Sequence, residues 1–88
     1  MEDNYEAIVG IAICLLEMDQ FQESLEYINK SLEIGSEMAD SWIYLAEAKV
    51  GLGEYKEALD AYHQAVSIDP NQPDALLAMG NIYMDFAD

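Results

Sequence analysis

The sequence is poor in positive charge. Three lysines (Lys30, Lys49 and Lys56) and no arginine face eighteen carboxylates, giving a net charge of −15 over 88 residues. Nucleic-acid binding requires cations that neutralise phosphates, and three scattered lysines form no basic patch. The same field repels anionic lipid heads, so a basic or apolar protein partner fits it better. Cysteine is as scarce. Cys14 cannot close an internal disulfide by itself, which points to a reducing compartment and a cytoplasmic location. Long apolar runs are missing too. The stretch from Ala7 to Leu16 makes about 15 Å of helix where a bilayer core needs roughly 30 Å. Acidic residues precede it where a signal peptide carries positive charge, so neither membrane insertion nor a leader for secretion is predicted. Proline occurs only at Pro70 and Pro73, which leaves one strong break in the chain.

What is present is a repeat. The apolar share, 52%, suits a folded chain, and 88 residues make one domain at most, with a thin core. Shifted by 34 residues without gaps, Phe21-Gln22-Glu23-Ser24-Leu25-Glu26 lands on Tyr55-Lys56-Glu57-Ala58-Leu59-Asp60. Ile11-Ala12 lands on Leu45-Ala46 and then on Met79-Gly80; Val9 falls on Ile43 and Leu77, and Leu16 on Val50 and Met84. The match divides the chain into a leader at 1–4, a first unit at 5–38, a second at 39–72 and half of a third at 73–88.

Each whole unit reads as two amphipathic helices joined by a tight turn, and no strand-like alternation occurs. Trp42, Leu45, Ala46 and Leu52 keep a helical spacing, as do Tyr55, Ala58, Leu59, Tyr62, Ala65 and Val66. Gly51 and Gly53 end the first helix of the second unit, where a left-handed residue costs little. In the first unit Asp19 stands in the turn and is expected to cap the following helix. Asp69-Pro70-Asn71-Gln72-Pro73 separates the units, with Asn71 expected as N-cap and Pro73 in the first turn. Small residues at Ala12, Ala46 and Gly80, and at Ser24, Ala58 and Ala65, are expected to sit at close helix crossings. One hairpin cannot bury its own apolar face, so stacking must supply the core.

With Trp42, Leu45, Ala46, Gly53, Tyr55, Ala58, Tyr62, Ala65 and Pro70 at their spacing, the second unit resembles a tetratricopeptide repeat at nearly every signature position. The first unit is degenerate, keeping Ile11, Ala12, Phe21 and Leu25 but carrying Ile8, Ser24, Ser31 and Ser36 where the family has tryptophan, alanines and proline. The resemblance implies an all-α fold of five antiparallel helices, two and a half units, in a right-handed superhelical stack. It also implies that the first helix of each unit lines a concave face that binds protein segments. Carried over position by position, that face comprises Val9, Ile13 and Leu16; Ile43, Tyr44, Glu47 and Val50; and Leu77, Asn81 and Met84. This is an apolar stripe flanked by carboxylates, among them Asp40 and Asp74. One subgroup of the family grips the C-terminal carboxylate of heat-shock chaperones with lysine, asparagine and arginine. Here those places hold Val9, Ile13, Tyr44, Asp74 and Ala78, and an acidic groove repels a carboxylate.

No motif for catalysis, cofactor or metal emerges. His63 is the single histidine, with no orienting partner or nucleophile signalled, and is expected at the surface. Cys14 aligns with Ala48, and with no cation near it in sequence it is expected to be buried and inert. Glu23 with Glu26, or Glu54 with Glu57, have the spacing of any solvated helix face, and no calcium-loop pattern occurs. The reading is therefore a protein-binding scaffold and not an enzyme, with two alternatives: a small acidic chaperone-like adaptor, or an accessory region of a larger enzyme or regulatory protein. The last helix, apolar on more than one side, is expected either to continue into further repeats or to support homo-oligomers.

Overall fold

An amphipathic helix hides its apolar face only against another helix, and this chain does so by laying each helix on the one before it. The computed structural model describes residues 4–36 and 38–86, with the backbone alone at Phe86. Five helices occupy them: α1 Tyr5–Glu17, α2 Phe21–Ile34, α3 Ala39–Gly51, α4 Tyr55–Ile68 and α5 Pro73–Phe86. Among the described residues there is no strand. Each helix packs on its neighbour in sequence, and α1 also reaches α3. The resulting body is elongated, 50 × 26 × 16 Å, as a stack of hairpins requires.

The two tight turns share one geometry. After α1, the Asp19 amide donates to the Leu16 carbonyl (3.0 Å) and the Gln20 amide to Leu15 (2.8 Å). After α3, the Gly53 amide donates to Val50 (3.0 Å) and the Glu54 amide to Lys49 (2.8 Å). This pair of bonds satisfies carbonyls left open at a helix end and needs a left-handed residue at its centre. Gly53 supplies it with φ 78°, and Asp19 adopts the same region with φ 61°. Asp19 therefore takes the glycine's place, but it does not cap α2 as the sequence suggested: Gln20 stands at the cap, without a side-chain bond. Gly51 answers a different need. A Cβ there would lie 2.5 Å from atoms of the Phe21 ring, so its missing side chain lets α3 approach α2.

Between the hairpins, the Trp42 indole donates to the Ser36 carbonyl (2.8 Å), pinning the first connection to α3. In the second connection Asp69 is the organiser. Its carboxylate accepts from the Asn71 amide (3.1 Å) and from Gln72 Nε2 (3.2 Å). The expected cap at Asn71 is thus corrected: α5 begins at Pro73, so Gln72 precedes the helix, and Asn71 belongs to a turn closed on Asp69.

Two apolar clusters form the core. Ala12, Ile28 and Ala48 centre the first; Ala46, Ala58, Ala61, Tyr62, Ala75, Met79 and Ile82 make the second. Leu45 packs against both. The junction between the hairpins is polar in the first half and apolar in the second. Buried Ser31 donates to the Ile28 carbonyl (2.6 Å) and shares a bond with buried Ser41 (3.1 Å), whose hydroxyl also bonds that of Tyr5. One repeat later the matching residues are Ala65 and Ala75, both buried. The serines carry their own partners, so their burial leaves no polar atom unsatisfied among the described residues.

Two positions depart from the sequence reading. Cys14 is exposed, not buried. Its counterpart Ala48 is covered by α1 and α2, whereas among the described residues no hairpin precedes α1 to cover Cys14. Gly80, expected at a close crossing, is also exposed, with nothing within 4 Å of where its Cβ would stand.

The two turns generate a mirrored expectation. Replacing Asp19 by glycine relieves a left-handed L-residue and should raise stability by about 0.5–1 kcal/mol after glycine's entropy is counted. Gly53→Ala should lower it by about 1 kcal/mol or more. Thermal melts read both, at roughly 4–8 °C per kcal/mol for a chain of this size. Shifts of the same sign in the two variants would contradict the shared turn geometry.

Candidate protein-interaction face

The helices expected to line the binding face are α1, α3 and α5, which begin at residues 5, 39 and 73. Val9, Ile13 and Leu16 of α1 are half-buried, as are Ile43, Tyr44 and Val50 of α3. Leu16 and Tyr44 pack against the first core cluster, and Ile43 and Val50 against the second. These four side chains therefore already serve the stack and offer only part of their surface. Glu47, Leu77, Asn81 and Met84 are exposed. Leu77 and Met84 stand out at 66% and 77% exposure, large apolar groups seven residues apart on one flank of α5.

Electrostatics tie α3 to its neighbours. The Glu47 carboxyl is pushed above the usual carboxylate range, first by loss of water around it and then by the charge of Asp74 on α5. Glu47 keeps an exposed edge, so this is a crowded carboxylate and not a sealed one. The Tyr44 hydroxyl is raised by burial first, then by Asp40, Glu47 and Tyr5. The Tyr62 hydroxyl of α4 is raised by burial and then by Glu47. Tyr5 and Tyr62 were not among the expected residues; which ring reaches Glu47 depends on helix crossing, which a repeat pattern does not encode.

Among the described residues no cation answers this cluster. Lys49, two residues from Glu47, extends instead to Glu54 (3.0 Å) and Glu57 (2.9 Å) at the start of α4. Hydrogen bonds to Glu57 and then Glu54 hold its ammonium above its usual range, and the Lys49 bond lowers Glu57. Among the described residues these are the only ion pairs within range. His63 lies at the surface, and its Nε2 is 3.2 Å from the Tyr83 hydroxyl, a tie between α4 and α5 that the sequence did not signal. Among the described residues no three His, Cys, Asp or Glu side chains group closely enough to hold a metal ion, and no helix is long and apolar enough to cross a membrane. Carboxylates beside exposed aliphatics can recognise a basic apolar segment.

The crowding of Glu47 has a consequence for stability. Its proton is held more tightly in the folded chain than in the unfolded one, so its contribution is favourable at low pH and is lost as pH rises through the raised value. Glu47→Gln should therefore raise the melting temperature near pH 7 and leave it unchanged near pH 3, where an ordinary glutamate is itself largely protonated. A variant that melts lower than the parent near pH 7 would contradict the assignment.

Comparison with known proteins agrees with this geometry. The family model for the TPR repeat matches residues 46–85, from the middle of α3 through α5. A DnaJ homolog subfamily C member 3 homolog of Dictyostelium discoideum is 37% identical over 60 residues, 68% of this chain and 12% of its own length. A TPR repeat-containing protein of Methanocaldococcus jannaschii is 31% identical over 73 residues, 83% of this chain and 22% of its own. The chain thus spans between about an eighth and a quarter of these relatives. Among solved structures, the MamA RS-1 ArsTM double mutant superposes with a TM-score of 0.91 at 19% identity, covering 98% of this chain and 48% of that one, which speaks to the fold alone. Repeat, turns, stacking and relatives agree: the chain belongs to the tetratricopeptide-repeat family.

Proposed function

We propose that the side formed by α1, α3 and α5 holds a segment of a partner protein without chemistry, aliphatic groups giving affinity and carboxylates selecting a basic amphipathic helix. The units that present it run over 5–38, 39–72 and 73–88. The supporting observation is the Glu47–Asp74 cluster. Burial and then the charge of Asp74 raise the cost of ionising Glu47, no ion pair engages either carboxylate among the described residues, and Asp74 lies one helical turn from exposed Leu77. A lysine or arginine brought by a partner relieves that repulsion, while its apolar face covers Leu77 and Met84. The chain's net charge of −15 speeds the approach of such a partner and makes it salt-dependent.

The short span of the chain in its relatives, one of them a DnaJ homolog, supports a second reading. In that reading the repeats are an adaptor that shields an apolar client stretch, or an interaction region of a larger enzyme or regulatory protein. A reducing, cytoplasmic setting suits either one.

Fluorescence anisotropy with a labelled leucine–lysine amphipathic peptide tests the proposal. Binding is expected to weaken with added salt, and the Leu77→Ser/Met84→Ser double variant should lose at least about tenfold in affinity, equivalent to roughly 1.4 kcal/mol. Equal affinity in parent and double variant would show that the peptide binds elsewhere.

A further inference from the structure

A different flank of α5 carries a second unfilled surface, and the repeat itself shows what kind of element fits it. In α1 and α3 the residues Ala12 and Ala46 are 1% and 0% exposed. α2 follows and packs on α1, and α4 follows and packs on α3. The equivalent residue on α5 is Gly80, exposed, with open space where a side chain would begin. Leu76, one repeat after half-buried Trp42, is 50% exposed. Tyr83, one repeat after Lys49, is 51% exposed, whereas Lys49 is reached by Glu54 and Glu57 from the helix that follows α3. This flank is separate from the one bearing Leu77 and Met84, because a helix turns 100° per residue. Beside it, Tyr55, Leu59, Ile82 and Tyr83 line an apolar groove of about 770 Å³ between α4 and α5.

The occupant's chemistry can be read from α4, which fills the corresponding position on α3. The face of α4 in the core is mostly small: Ala58, Ala61 and Ala65 are buried beside Tyr62, and Ala58 and Ala61 share a cluster with Ala46 of α3. Only small residues let two helices close to such a distance. A second copy of the chain would bring a further charge of −15 to a body that already carries −15, so charge complementarity selects a cationic partner. We propose that the Leu76–Gly80–Tyr83 flank of α5 and the adjoining groove dock one helix of a partner protein, small and apolar on its contact face and basic on its flanks. The mode is helix-in-groove, and it continues the stacking interface already present between α3 and α4.

The test uses a synthetic helix with the sequence of residues 54–69 carrying E54K, E57K and D60K, and a scrambled peptide of the same composition. Amide chemical-shift mapping on the whole chain is expected to show one-to-one binding centred on residues 76, 80 and 83, with the scrambled peptide bound at least tenfold more weakly. Gly80→Leu, whose Cβ meets no neighbouring atom in the fold, should block the close approach and lower affinity at least tenfold; Tyr83→Lys should do the same. Asn29→Ser, exposed on α2, should leave this peptide's affinity unchanged. Equal binding of the scrambled peptide, or shifts confined to α1 and α3, would overturn the proposal. So would a peptide-free dimer that Tyr83→Lys dissociates, which would make a second copy the occupant. Side-chain contacts from Leu76 and Tyr83 to a further segment of the same polypeptide, seen by nuclear Overhauser effects without peptide, would overturn it too.

Discussion

The structure depends on a simple deficit: no single helical hairpin here can bury its own apolar face. α3 is where that deficit is met from both sides. Ala48 faces the first cluster and Ala46 the second, both fully buried, and Leu45 between them packs on each. Tight turns with left-handed residues at Asp19 and Gly53 keep each pair of helices antiparallel and close. Buried alanines at Ala12, Ala46, Ala48, Ala58 and Ala61 let the helices approach closely, while Ile28, Tyr62, Met79 and Ile82 fill the spaces between them.

The same architecture separates two duties. Tyr5, Ser31 and Ser41 make a hydrogen-bonded junction where α3 begins, and one repeat later buried Ala65 and Ala75 stand at the matching places of α4 and α5. The polar junction gains less from burial, but it is directional, because misplaced hydroxyls would be left without partners. The apolar junction supports α5, whose outer flanks remain open. Stacking and recognition thus draw on one resource: helix faces that the next helix has not covered. Where the next helix is present, as α4 is for Ala46, the face is core; where it is absent among the described residues, as at Gly80, the same kind of position is surface.

Much of the fold was legible because a 34-residue self-match carries both helix spacing and turn chemistry. Gly53 and the matching Asp19 marked the turns, and the alanine positions marked the crossings. What was not legible was position within the stack. Cys14 and Gly80 have the residue type of buried sites, yet each lies where the described residues place no covering hairpin. Asn71 looked like a cap because capping residues and turn residues are the same few types, and Asp69 decided between the roles. On the candidate face, the stripe of aliphatics could be read, but its coupling to Tyr62 and the diversion of Lys49 to Glu54 and Glu57 follow from crossing geometry.

Site-resolved hydrogen exchange on Leu45→Ala most directly probes the dependence of both halves on α3. Removing a side chain shared by two clusters should lower protection in α1–α2 and in α4–α5 together, by comparable factors, as a chain of nearest-neighbour contacts demands. Protection lost within α3 alone, or in one half with the other unchanged, would contradict a stack held together through that helix.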